Sequence, residues 1–436
     1  MQLLLRQSCC VPHRAELGGR RVRGMVRLRQ DRDEAAREGK SMMAKRAPLR
    51  SPDTPERATF LELFFDLAFV FALLQVSRGL VQHLDWSGAF HTLILLLALW
   101  RVWLVTTWIT NRLDPQWLPM QLMVVTTLLA SLVLATALPQ AFGKYGLIFA
   151  GVYVAIQPGR YLVLLFFMRG HELQGAVVRA LWSGLVSSGP WIAGAFTHGS
   201  ARTALWTFAI AVEYAVFAVN IPLPWAGHVG PWQSPTSAEH LAERYRQFFI
   251  VALGVLTMAG GLALDSHGFT PARVAAFVMS VAVTALIWRT YIYRAGEVLS
   301  AAFRVARTPA RLGIGPVYAH LVMVAGIVGM AGGIDLVIAQ PLGPTPPAHA
   351  IAFLGGPALF LAGRAGFEYI VFAKVSWNRP TGALVLVALI LPAIHRPPIV
   401  ATVAVLVVML GVAITDAVRI RHHRGELEPP RVDGPS

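Results

Sequence analysis

Residues 59–80 read TFLELFFDLAFVFALLQVSRGL, and how this stretch is read decides the fold. Only Glu62, Asp66 and Arg78 carry charge, and the remainder is too uniformly apolar for a helix with one face in water. At 1.5 Å per residue, 22 residues of helix reach across the ~30 Å of hydrocarbon in a bilayer. Runs of the same kind follow at about 89–109, 118–138, 145–168, 177–196, 203–226, 246–264, 272–293, 317–339, 349–372, 381–394 and 396–418, the eleventh being the shortest. The expectation is an all-α polytopic membrane protein with about 12 transmembrane helices. Pro158 and Pro357 fall inside such runs and predict kinks, which membrane helices tolerate where neighbours satisfy the freed backbone groups.

Composition agrees. Of 436 residues, 55% are hydrophobic and 14% charged, and the mean hydropathy of +0.56 excludes a water-soluble globular chain. The net charge of +15 raises the question of nucleic acid. Its distribution answers it, because 14 of the 38 basic residues precede residue 58 and no aromatic interleaving accompanies them outside the apolar runs. The loops between runs alternate in charge. Outer loops hold only Lys144, Arg202 and Arg396, whereas the opposite set and both tails hold most of the rest. By the positive-inside rule both termini are expected in the cytosol. Residues 1–57 read as a disordered basic tail, with Met42 and Met43 as an alternative start, and 419–436 as a second tail. The adjacent Cys9 and Cys10 predict neither a disulfide framework nor a metal site.

An internal duplication is visible when the first six runs (58–226) are set against the second six (227–418). Trp100-Arg101 matches Trp288-Arg289, Gly159-Arg160 matches Gly363-Arg364, and QLMVV matches HLVMV. An acid before a Phe pair occurs in both first runs, Glu62 before Phe64-Phe65 and Glu243 before Phe248-Phe249. The order predicts two parallel six-helix repeats.

Charges inside apolar runs point to a site, since each costs ~2.5–3.5 kcal/mol at a helix centre unless paired or hydrated. Glu62 and Asp66 share one helix face. Arg101, Arg160 and Arg364 lie at a depth similar to Asp66, His320 begins the ninth run, and Glu368 follows Arg364 by four. These predict a polar cluster in the cytosolic half, with Asp66 facing Arg101, Arg160 or Arg364. Structural ion pairing and an ion or substrate site both remain open. Glu213 reads as a hydrogen-bonded acid in mid-membrane, and Arg289 as a side chain reaching for headgroups. No phosphate loop, dinucleotide glycine pattern, zinc-helix motif or nucleophile elbow occurs, so no enzyme, cofactor or metal is expected. His240, Glu243 and Arg244 form the nearest approach to a catalytic constellation, with headgroup contact and helix capping as the plainer readings.

Glu62-Leu63-Phe64-Phe65-Asp66-Leu67-Ala68-Phe69-Val70 resembles the motif that opens the bacterial low temperature requirement protein A (LtrA) family. TNRLD after the second run, His240-x-x-Glu243-Arg244 and AHLVMVAGI around His320 fit it too, so the likeness covers about residues 57–420. Relatives continue the seventh run into Leu-Gly-Glu, where this chain has Leu253-Gly254-Val255, and carry a Trp-x-Tyr-Phe-Asp-like segment where it has WRTYIY. If that missing acid handled a cation or proton, this chain has altered the role. The resemblance implies a bacterial inner-membrane protein linked to growth in the cold. The leading expectation is a secondary transporter or channel-like permease for an ion or small solute, with lipids around it and no nucleic-acid partner. Glu62, Asp66, Arg101, Arg160, Glu243, Arg244, His320 and Arg364 are its candidate binding residues. A structural or regulatory membrane protein is the alternative, and a lipid-modifying enzyme a third class.

Overall fold

A computed structural model describes residues 49–50, 57–171, 173–219, 238–305 and 309–423. Cys9, Cys10, nearly all of the N-terminal tail, the end of the sixth run and most of the C-terminal tail lie outside the described residues. All described helices belong to the unit Arg50–Ser436. In chain order they are α1 (Phe60–Gln82), α2 (Trp86–Thr110), α3 (Leu118–Ala137), α4 (Gly146–Phe167), α5 (Gln174–Ala195), α6 (Gly199–Val219), α7 (Ala238–His267), α8 (Pro271–Val305), α9 (Pro309–Ala339), α10 (Pro347–Phe372), α11 (Asn378–Ala388, followed by a further turn at Ile390–Ala393) and α12 (Pro398–His423).

A helix therefore lies on each apolar run. Among the described residues, nine helices are long and apolar enough to cross a membrane. The others are α5, α6 and α11. Arg179 and several serines lower the hydropathy of α5, the described part of α6 stops short of the end of its apolar run, and α11 with its extra turn covers only Asn378–Ala393. Helix α4 runs through Pro158 and α10 through Pro357.

Helix α1 shows how the sequence is used. Thr59 caps it, accepting from the Glu62 backbone N–H at 3.4 Å while its own N–H donates to the Glu62 carboxylate at 2.8 Å. Phe60, Leu63, Phe64 and Leu67 form an exposed apolar stripe, while Glu62, Phe65, Asp66, Phe69 and Leu73 turn inward. An apolar outside around a partly polar inside is what hydrocarbon as solvent demands.

The helices have an ordered set of neighbours. Helix α1 packs on α2 and α3, α2 on α3 and α6, α3 on α4, α4 on α5, and α5 on α6. Helix α7 packs on α8 and α9, α8 on α9 and α12, α9 on α10, α10 on α11, and α11 on α12. The two sets meet through α1 and α2 against α7 and α9.

Helices α9 and α10 approach backbone to backbone. A Cβ on Gly356 would fall 2.6 Å from the Met330 nitrogen, one on Gly326 2.6 Å from the Phe360 nitrogen, and one on Gly333 2.7 Å from the Phe353 Cα. Small residues let membrane helices pack by direct backbone contact. Gly356→Val is expected to force these helices apart and to lower stability by about 1–3 kcal/mol. Gly355→Ala, whose new methyl has nothing within 4 Å, is expected to be neutral. Thermal unfolding of both variants in detergent checks this.

Candidate functional site

At the N-terminal end of α1, the face that carries Glu62 and Asp66 meets the start of α7. Asp66 and Arg244 form a bidentate pair, with Nη1 donating to Oδ2 and Nη2 to Oδ1, each at 2.7 Å. The indole of Trp103 on α2 donates to the same Oδ1 at 2.9 Å. One turn away, Glu62 Oε2 accepts from the Thr59 N–H and hydroxyl, the latter at 3.0 Å, and lies 3.2 Å from His240 Nε2. The other imidazole nitrogen, Nδ1, lies 2.9 Å from Asn111 Oδ1, at the C-terminal cap of α2. Glu62, Asp66, His240 and Arg244 are each at most 1% exposed.

His240 Nε2 has two competing neighbours. Protonated, it donates to Glu62; bare, it accepts from Arg50 Nη1 at 3.0 Å. Asn111 Oδ1 as acceptor fixes the Nδ1–H in either state. The proton on Nε2 thus decides whether the imidazole is tied to α1 or to the chain preceding it. Burial holds the Arg50 guanidinium below its usual range against the opposing pull of Glu62 and Asp114, and burial brings Arg112, in the loop after α2, down to about 9. Glu62 Oε1, 3.9 Å from Arg244 Nε, makes no hydrogen bond.

Toward the other end of α1 the cluster is closed by aromatic rings. Phe248 packs against Trp103 at 4.3 Å, Trp100 at 5.3 Å and Phe69 at 5.7 Å between ring centres, and Phe65 meets Phe69 at 5.2 Å. Beyond them lies a cavity of about 310 Å³ between α1, α7 and α9, bordered by Ser77, Arg78, Asp265, His267 and Asp335.

The expected pairing of Asp66 with Arg101, Arg160 or Arg364 is corrected by this geometry, because Arg244 takes both oxygens of Asp66. The charges form separate groups rather than one cluster. Arg101 Nε lies 3.6 Å from Glu213 on α6, which accepts from Tyr153 at 2.7 Å and from Gln157 and Trp191 at 3.2 Å. Arg160 donates to the Val102 carbonyl and the Thr106 hydroxyl, both at 3.1 Å, and to Gln157. His320 accompanies α7 through rings, stacked on Tyr245 at 4.6 Å, with Tyr291 Oη 2.9 Å from its Nε2 and Nδ1 donating to the Pro316 carbonyl. Arg364 is buried over Phe367, away from Asp66. Glu368, its neighbour on α10, instead pairs with Arg379 at 2.8 Å, and Arg379 also reaches Asp416 at 3.1 Å. Glu243 does not join the site, since it sits half-buried against Arg246 at 2.5 Å. Arg289 is exposed.

Trp103, Arg50, Arg379 and Asp416 were not singled out from sequence. A carboxylate in an apolar run flags Asp416; an indole that serves a carboxylate looks the same in sequence as one that packs. Among the described residues no three His, Cys, Asp or Glu side chains are grouped to hold a metal ion.

Residues 57–414 match the family profile described as bacterial low temperature requirement A protein (LtrA). An uncharacterized protein of Rhizobium meliloti (strain 1021) is 33% identical over 387 residues, covering 86% of this chain and 93% of the relative. No solved structure matches the chain.

Removing one member of a buried pair strands the other, which costs about 3–5 kcal/mol. Arg244→Gln is expected to destabilise by that order. Asp66→Asn with Arg244→Gln is expected to recover part of it, because the double variant buries no lone charge. A double-mutant cycle on unfolding in detergent measures the coupling.

Proposed function

The chain belongs to the bacterial low temperature requirement A (LtrA) family, and from that premise we propose that it is a proton-coupled permease of the inner membrane. One observation carries the reading: a buried acid and a buried imidazole, Glu62 and His240, in contact across the junction of the two helix sets. An imidazole beside a carboxylate can take up and give back a proton, which a guanidinium–carboxylate pair does not readily do. Here the imidazole also stands between two mutually exclusive partners, Glu62 and Arg50. Protonation from the cytosolic side loads the pair and locks α7 to α1; release frees His240 toward Arg50. The neighbouring Asp66–Arg244 pair keeps its charges through both states.

The aromatic rings around Phe248 then form the barrier, and the cavity at Ser77, Asp265 and Asp335 the opposite vestibule. Orientation follows the basic residues, with both termini in the cytosol. Helices α5, α6 and α11 complete twelve spans, their polar residues covered by neighbours. The matching neighbour lists of α1–α6 and α7–α12, with the Trp-Arg and Gly-Arg correspondences, support two parallel repeats as the moving bodies.

Proteoliposomes loaded with a pH-sensitive dye, held at a potassium diffusion potential, provide the test. Wild-type protein is expected to pass protons, alone or on addition of a co-substrate from a panel of small ions and solutes. Glu62→Gln and His240→Gln are each expected to reduce the proton flux at least about tenfold, or ~1.4 kcal/mol in barrier height, while reconstituting normally. Full flux in both variants, or none from wild type across the panel, would overturn the proposal in favour of a structural clamp between the helix sets.

A further inference from the structure

At the end of α1 opposite the Glu62–His240 pair, two cavities adjoin the corner between α1 and α2, and Asp85 and Thr92 border both. The larger, of about 620 Å³, is an apolar groove. Leu80, Leu93 and Leu96 border it from α1 and α2, and Val328, Ile351 and Leu359 from α9 and α10. Leu93, Ile351 and Leu359 are exposed, so the groove opens toward lipid. On α10 it extends from Pro347 to Leu359, about 18 Å of helix at 1.5 Å per residue, and one leaflet of hydrocarbon is about 15 Å deep. The groove thus has the depth of one leaflet.

The second cavity, of about 430 Å³, is polar, with Gln75, His83, Asp85, Ser87, His91 and Gln140 on its border. Trp86, beside Asp85 and 84% exposed, suits the level of the headgroups. Gln75 Oε1 is buried and makes no hydrogen bond, which is costly, so its missing partner is a donor. Asp85 Oδ1 caps α2 by accepting from the Gly88 N–H at 2.6 Å, and a carboxylate has capacity for further donors. Among the described residues that border either cavity, Asp85 is the one acid and none is Lys or Arg. Behind the wall, Arg202 donates to the carbonyls of Ala141 at 3.1 Å and Gly143 at 2.7 Å. One anion on the border and one cation behind it match a zwitterionic head better than an anionic one.

An apolar slot one leaflet deep beside a polar chamber fits an amphiphile with a tail and a head. Lipid tails are as apolar as the groove, so the tail gains little by leaving the bilayer and the head must supply the selectivity. We propose that these two cavities bind one phospholipid with a primary-ammonium head, of the phosphatidylethanolamine class. One acyl chain lies in the groove, and the ammonium donates to Asp85 and to Gln75 Oε1. Such a site stands independently of proton coupling at His240, and its occupancy is read without any transport.

Purified full-length protein, stripped of lipid by detergent exchange, is titrated with dioleoyl phosphatidylethanolamine or dioleoyl phosphatidylglycerol, and bound lipid is counted by native mass spectrometry. Phosphatidylethanolamine is expected to saturate a single tight site at a concentration at least about fivefold below that of phosphatidylglycerol. Asp85→Asn keeps a good helix cap and is expected to abolish that preference. Gly355→Phe, at a position with open space around it, is expected to fill the groove and weaken both lipids about tenfold. Leu122→Phe, on an exposed position of α3, is expected to change neither. If Gly355→Phe does not fold, Asp85→Asn alone decides. Equal affinity for the two lipids, tighter binding of phosphatidylglycerol, or an unchanged preference in Asp85→Asn would each overturn the assignment. Proton flux of Asp85→Asn, measured beside it, shows separately whether the permease reading stands.

Discussion

A carboxylate and a guanidinium in the middle of packed helices set the terms for the whole first layer of this structure. Asp66 and Arg244 each lose their hydration, at a cost of several kcal/mol apiece, and recover it chiefly from one another in a geometry where both oxygens and both terminal nitrogens are used. That geometry requires α7 to lie against α1 in one register. It also requires Trp103 at the height where its indole can fill the remaining lone pair of Oδ1. Once those three helices are fixed, Glu62 is brought to His240 one turn away, and Phe248 falls among Trp100, Trp103 and Phe69. The polar site and the aromatic layer are consequences of the same alignment.

The α9–α10 contact solves a different problem. Lipid tails are as apolar as a leucine side chain, so burying leucine between two membrane helices gains little from the hydrophobic effect. Contact of backbone with backbone, at Gly326, Gly333 and Gly356, gains dispersion over many atoms at once. This rigid pair presents α9 to α1 and α7, and its His320 stacks on Tyr245, the residue next to Arg244. The family motifs at Glu62–Asp66, Asn111, His240–Arg244 and His320 are scattered over the chain, yet they converge on one end of one helix junction.

Much of this was legible in the sequence for a simple reason: crossing hydrocarbon imposes a length and an apolarity that a single chain displays openly. Helix positions followed from that, as did the presence of buried charge at Glu62 and Asp66. Partner choice did not follow. Depth along a helix is readable from residue count, and on depth alone Arg101, Arg160 and Arg364 suited Asp66 as well as Arg244 did. Which helix lies beside which depends on packing between segments far apart in the chain, as with the 178 residues that separate Asp66 from Arg244. Glu243 misled for a related reason. Near the start of α7 its rotational position, not its sequence neighbours, decides that it faces Arg246 while His240 and Arg244 face inward. At α5, α6 and α11 the described residues do not by themselves make a long apolar helix, and a helix protected by its neighbours can carry polar residues that a lone helix in lipid could not.

The two pairs at the α1–α7 junction differ in a way that bears on mechanism. Asp66 and Arg244 are matched atom for atom, so protonating that carboxylate would forfeit two charge-assisted bonds and leave a buried cation. Glu62 is held more loosely. One of its oxygens is filled by the helix cap and His240, the other makes no hydrogen bond, and the imidazole has Arg50 as a second neighbour. Under the permease proposal, a proton that arrives at this junction is taken by the Glu62–His240 side, while the Asp66–Arg244 pair keeps the helices in register. A junction that needed only to be held would be served by the Asp66–Arg244 pair alone. The titratable pair one turn away, at the edge of the aromatic layer, is the feature on which the permease proposal rests.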